Sequence, residues 1–394
     1  MSLATGLDRL LAAPQALAGR QYGLLAHGAS LTAEMVPAHR ALAALPDPPA
    51  ALFGPEHGYY GIEQDMIPAH SGPDPWTGAP VISLYGDSEG SLVPRPEAFA
   101  GLDLLLIDLQ DVGSRYYTYA ATAVWAAEVA LDTGCEVWVL DRPNPLGGVA
   151  VEGKLPEAGL ESFVSAFSLP ARHGLTLGEL FLLEMKRRGR SDGFRVWPLA
   201  GWRREQLWDG LGRPWIAPSP NMPSLTTALL YPGGCLVEAT EVSEGRGTTR
   251  PFQLVGAPWV EPLALADALN QQDLPGLRAI PTYFRPQLQK HRGEACGGVE
   301  LVVTDPVALR PYWSGLVLLA ALAKQGGERF RWRSAPYEFV IDRPAIDLLT
   351  GSPAYRRAIE AGGAGLEELA AGWAADEASF REERAAVLLY PEGP

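Results

Sequence analysis

The chain has 394 residues, 47% hydrophobic and 20% charged, enough to bury a full core and to form two domains. Its formal net charge of −14 speaks against nucleic acid or an anionic membrane as partner, although arginines gathered locally can still hold an anion. Three widely spaced cysteines, Cys135, Cys235 and Cys296, form no CxxC or zinc pattern, so a reducing compartment and no bound metal are expected.

In chain order, the start MSLATGLDRLLAAPQALAGRQ contains Asp8 and no sustained apolar core, unlike a signal peptide, and a cytoplasmic protein is expected. Short continuous apolar runs follow at residues 22–26 (YGLLA), 50–53, 81–84 (VISL), 104–107 (LLLI) and 137–140 (VWVL). Unbroken runs of this kind fit parallel strands covered on both faces. The alanine-rich stretch 119–131 between the last two reads as a helix stopped by Gly134, giving a right-handed strand–helix–strand unit. A second helix is expected over 176–188, with Thr176 and Glu179 as a capping box. Residues 194–197 and 235–237 read as strands. Beyond Pro251 the texture changes to a strand over 299–303, a helix over 313–324 and alanine-rich helices from Ala354. The apolar run 316–323 is far shorter than the roughly 20 residues of a membrane span. The predicted fold class is α/β, with a Rossmann-like, doubly wound, mostly parallel sheet and a smaller C-terminal α/β domain. The expected domains are 1–245 and 246–394.

Ligands of open α/β sheets sit beyond the carboxyl ends of the strands, where this chain turns polar. Run 50–53 leads into GPEHG with Glu56 and His57. Run 104–107 leads into DLQDVGSRYYTY, and run 137–140 into DRPNPLGG. Asp141 and Asn144 are either site residues or Asx-turns, Asp108 and Asp111 either site residues or helix caps. The tyrosines Tyr116, Tyr117 and Tyr119 are expected to be partly core. Glu56 has no helix to cap, which favours chemistry. The rigid loop APSPNMPS presents Ser219 and Asn221. The glycine-flanked SEGRG presents Glu244 and Arg246, or serves as a hinge, and His173 precedes a helix.

Other chemistries fit less well. GDSEG matches the nucleophile elbow G-x-S-x-G, but Pro94 and Pro96 fall where its helix belongs. Neither G-x-G-x-x-G nor a P-loop is present, so no nucleotide cofactor is expected. His27, His57, His70 and His173 with Asp108 lack any metal-binding spacing.

The ordered motifs FGPEHGYYG, TGAPVISLYGD, DLQDVGSRYYTY, LDRPNPLGG, PARHGLTLGEL, PSPNMPS and TEVSEGRGTT resemble those of the exo-β-N-acetylmuramidases, long known as DUF1343. The resemblance runs from about Gly6 to near Leu349. One departure is His27, where the family tends to carry asparagine. The resemblance implies a Rossmann-like domain without a dinucleotide and a smaller domain closing a cleft. It implies release of N-acetylmuramic acid (MurNAc) from the non-reducing end of peptidoglycan fragments such as MurNAc–GlcNAc, with Glu56 as the catalytic residue.

On that footing Glu56 is expected to be the general acid and His57 to orient it. Asp111, Glu244 and Asp141 are candidates for the second group, unless the substrate's own acetamide attacks, with a group such as Tyr116 polarising it. Arg115, Arg142 and Arg246 are candidates for the lactyl carboxylate of muramic acid. Gln110, Tyr116, Tyr119, Asp141, Asn144, His173, Ser219 and Asn221 complete the expected binding set. The alternative is a muropeptide-binding or sensing protein on the same scaffold.

Overall fold

The computed structural model describes residues 3–64, 67–69 and 71–392, and His70 lies outside them. Seven strands form one sheet: β1 (Tyr22–Ala26), β2 (Ala51–Gly54), β3 (Gly72–Pro73), β4 (Pro80–Ser83), β5 (Leu104–Asp108), β6 (Glu136–Leu140) and β7 (Phe194–Trp197). Their order is β3-β4-β2-β1-β5-β6-β7, parallel throughout except for the short edge strand β3. Without β3 this is the doubly wound order of dinucleotide folds, with its switch point between β1 and β5. Both strands are buried at every position, which is why they read as unbroken apolar runs.

Alternate residues feed two cores. Leu24, Leu52, Leu106 and Trp138 face one side, where α1 (Gly6–Leu11) and α2 (Ala38–Ala43) contribute Leu7, Leu10 and Leu42. Leu25, Phe53, Ile107 and Val139 face the other, under α3 (Tyr119–Asp132) and α4 (Leu177–Arg187). The expected capping box opens α4: Glu179 N–H donates to Thr176 Oγ1 at 3.2 Å, and Thr176 N–H to the Glu179 carboxylate at 3.1 Å. GDSEG forms no elbow, since Ser88 only precedes a short 3-10 turn, Glu89–Ser91.

The second core continues into the rest of the chain. There α5 (Leu225–Gly234) leads to an antiparallel sheet of β8 (Leu254–Ala257), β9 (Leu277–Phe284) and β10 (Cys296–Val303), in the order β8-β10-β9. Helices α6 (Pro262–Asn270) and α7 (Pro311–Gly326) cover it. After them come α8 (Ala345–Thr350), α9 (Pro353–Glu360), α10 (Leu366–Ala371) and α11 (Trp373–Ala385). The expected strand at 235–237 is corrected: Cys235–Ala239 is a 3-10 turn running straight out of α5. A short buried apolar run has no periodicity to tell the two apart.

Helices α5 and α7 cross at van der Waals contact, which requires glycine. A Cβ on Gly233 would lie 1.9 Å from the Pro311 carbonyl oxygen, and one on Gly315 2.5 Å from Gly233 Cα. The last turn of α11 and the residues after it return to the first sheet. Arg384 donates to the carbonyl of His173 (3.0 Å), Leu389 N–H to Glu179 (2.9 Å), and the Tyr390 hydroxyl to Asp141. Among the described residues no helix is long and apolar enough to cross a membrane.

Candidate active site

Strand β2 ends at Gly54, and the chain reverses at once. Gly58 N–H donates to the Pro55 carbonyl (2.9 Å), closing a turn in which His57 holds φ +69°. That third position normally suits glycine or asparagine, and histidine is among the residues that tolerate it better. A Cβ on Gly54 would sit 2.5 Å from Tyr59 N, so the tight return depends on glycine there as well. The turn projects Glu56 toward the loop before α3, where Thr118 Oγ1 donates to Glu56 Oε2 at 2.7 Å. His57 Nδ1 lies 3.0 Å from the Glu63 carbonyl, so the proton of the neutral ring sits on Nδ1 and Nε2 is its acceptor.

Glu56 and His57 form one side of a cleft. The opposite side comes from the region after α5. The 3-10 turn there carries Glu238, whose Oε1 accepts from Arg246 (2.7 Å) and whose Oε2 accepts from the Tyr337 hydroxyl (2.9 Å). Arg246 stands 3.3 Å from Glu244 and lies over the Phe252 ring, 5.3 Å from its centroid. Lys290 takes the other oxygen of Glu244 at 2.8 Å. Glu338 adds a third carboxylate to the cleft, and Tyr116, Tyr117 and Tyr231 supply aromatic wall. Three carboxylates against one guanidinium favour a reaction in which positive charge develops on the ligand. Among the described residues no group of three or more His, Cys, Asp or Glu is placed to hold a metal ion.

Sequence models of the exo-β-N-acetylmuramidase NamZ family match residues 22–226 (N-terminal part) and 229–390 (C-terminal part). The chain belongs to the exo-β-N-acetylmuramidase family. It is 36% identical over 388 residues to the peptidoglycan β-N-acetylmuramidase NamZ of Bacillus subtilis, covering 98% of this chain and 91% of that protein. Among solved structures, one DUF1343 protein of Bacteroides fragilis superposes with a TM-score of 0.86 at 30% identity, covering 99% of both chains. A second from the same organism gives 0.76 at 25% identity over 100% of both. The protein is thus a glycosidase.

The cleft gathers some of the residues singled out from sequence and not others. Glu56, His57, Tyr116, Ser219, Asn221 and Arg246 line it. Nine others are held elsewhere. Arg115 spends its guanidinium on the carbonyls of Lys154, Leu169 and Leu349, tying the first domain to α8. Arg142 grips Asp108 through two hydrogen bonds of 2.6 and 2.8 Å, both side chains buried. Asp141 accepts from Thr176 Oγ1 (2.7 Å), Gly178 N–H (2.8 Å) and Tyr390. Asn144 makes an Asx-turn to Leu146 N–H (2.9 Å) and donates to the Leu175 carbonyl. Gln110 donates to the carbonyls of Asp111 and Pro143, and Tyr119 to that of Pro218 (2.8 Å). Glu244 lies behind Arg246, paired with it and Lys290.

Asp111 and His173 face each other at 3.8 Å, both buried and away from the cleft. Burial raises the Asp111 carboxyl to about 7 and lowers His173 to about 3. Near neutrality this is a contact of neutral groups rather than an ion pair, because each is dearer to charge in the interior than in water. His27 is likewise buried, lowered to about 3 by burial and by the nearby Arg142 charge. The amides of Ala29 and Gln110 face its two ring nitrogens at 2.9 and 2.8 Å, and a neutral ring accepts from one of them at a time.

Glu238, Tyr337 and Glu338 were not singled out from sequence. Glu238 did leave a trace, as a lone carboxylate in the apolar run CLVEA that needs a partner if buried. Glu338 left none.

Proposed function

We propose that the cleft removes N-acetylmuramic acid from the non-reducing end of peptidoglycan fragments, with MurNAc–GlcNAc as the smallest natural substrate, in cell-wall turnover and recycling. The observation that carries this reading is the confrontation of Glu56, held by Thr118, with the Glu238–Arg246 pair across one cleft.

In this reading Glu56 gives its proton to the glycosidic oxygen as the bond to the anomeric carbon breaks. His57 sets the turn that aims it. Glu238 takes the part of second carboxylate, for which neither Asp111 nor Glu244 reaches the cleft. It stabilises the oxocarbenium-like sugar and then assists water, or it orients the 2-acetamido oxygen for internal attack. Arg246 receives the lactyl carboxylate, the group that separates muramic acid from N-acetylglucosamine, because guanidinium pairs with carboxylate through two parallel hydrogen bonds. Glu56 and Glu238 come from before residue 245 and Arg246 and Glu338 from beyond it, so the packing of these two parts of the chain is part of the site.

Chromatography of MurNAc–GlcNAc digests tests the assignment. The wild type should release both sugars and Glu56→Gln should bind without releasing them. Binding without cleavage by the wild type would sink the proposal, and the anomer released, seen by NMR, separates the two roles of Glu238.

A further inference from the structure

Eight non-glycine residues among those described hold a positive φ, and three of them line the cleft: His57 (+69°), Phe252 (+61°) and Glu338 (+46°). Left-handed backbone is costly for side chains of this size and persists where surrounding structure enforces it, often at ligand sites. Glu338 is the most telling case because its neighbour Phe339 is left-handed too, at +68°.

The two residues form the tip of a tight hairpin. Tyr337 N–H donates to the Val340 carbonyl (3.1 Å) and Val340 N–H to that of Tyr337 (2.9 Å). A two-residue turn with both central residues left-handed is one that sequences ordinarily fill with Asn-Gly or Asp-Gly. Here it is Glu-Phe. The turn seats Tyr337 on Glu238, brings Phe339 against the Tyr85 ring (centroids 5.9 Å apart), and directs Glu338 into the cleft, where Tyr85 donates to its Oε2 at 3.2 Å.

We propose that the Tyr337–Val340 turn is a substrate-reading element and that Glu338 accepts hydrogen bonds from ring hydroxyls of the terminal sugar, an inference that rests on the reading of the cleft given above. A carboxylate is a strong acceptor for sugar hydroxyls. Its charge also repels the lactyl carboxylate, which is thereby steered toward Arg246. The two groups divide recognition: Glu338 reads hydroxyls that muramic acid and N-acetylglucosamine share, and Arg246 reads the group they do not.

The test uses the full-length protein and chromogenic N-acetylmuramide and N-acetylglucosaminide. Glu338→Gln keeps an acceptor for Tyr85 and should fold normally. It should raise KM about tenfold for both sugars, the loss of roughly one charge-assisted hydrogen bond, with kcat changed less than about threefold. The double variant Glu338→Asn/Phe339→Gly gives the turn its preferred residues. It should melt higher than Glu338→Gln while binding no better. An unchanged KM in Glu338→Gln, or a double variant that melts no higher, overturns the proposal. If Glu56→Gln loses turnover while Glu338→Gln keeps its KM, this inference fails and the reading of the cleft stands. Near-normal turnover by Glu56→Gln would remove both.

Discussion

Two polar regions lie along the same rim of the first sheet, and they differ in what their charges face. At the end of β2, Glu56 meets a cleft whose far wall holds Glu238, Arg246 and Glu338. At the ends of β5 and β6, Asp108, Asp111, Asp141, Arg142 and Asn144 are just as dense, yet they face one another and the backbone around them. A buried charge must be paired or neutralised wherever it sits. Crowding of titratable groups at strand ends therefore does not mark a catalytic centre. Opening into a cleft does.

That contrast can be broken or sharpened by substitution. The largest effect is expected at Glu56: Glu56→Gln should lower kcat about 10²- to 10⁴-fold, the usual range for a lost general acid, with an unchanged melting temperature. Arg142→Met should act through stability alone. It strands the buried Asp108 carboxylate and should cost about 3–5 kcal/mol in denaturant unfolding, while kcat per folded molecule stays the same. A selective fall in kcat would place Arg142 in the chemistry and erase the distinction. Arg246→Gln should lower the preference for muramyl over glucosaminyl substrates by about tenfold or more, from a lost charge-assisted pair. Arg115→Ala should leave that preference intact.

The smallest effect is a pH signature. Asp111 titrates near 7 in the fold and near 3.8 unfolded, so its contribution to stability is full below 3.8 and is lost as pH rises through 7. Asp111→Asn, neutral at all pH, should match the wild type at pH 4 and melt higher than it at pH 8. His173 works in the opposite sense. Its value of about 3 against 6.5 unfolded means that stability is full above 6.5 and falls as pH drops toward 3. A wild type whose stability is flat from pH 4 to 8 would contradict both environments.

The same contrast explains what could be read in the chain. Strands β1, β2, β5 and β6 and the box at Thr176 are legible because burial on both faces and capping are local constraints. The strand expected at 235–237 is instead part of the 3-10 turn Cys235–Ala239, because a short apolar run fits either state. Sequence placed Asp141, Arg142 and Gln110 correctly at strand ends, yet whether such residues open outward depends on partners distant in the chain, such as Tyr390 for Asp141. Glu338 was invisible for the opposite reason. Its turn has the residues that turn rules argue against, so only the fold reveals it.

The return of residues 384–390 to the first sheet bears on how the protein is made. A ribosome delivers β1 through β7 long before Tyr390, so the nascent first domain carries Asp141 and Glu179 without two of their partners. An amino-terminal half usually folds as it emerges. Here its rim stays unfinished until Tyr390 has been translated, 249 positions after Asp141. The enzyme's polar rim is completed by a segment made well after the strands it closes on.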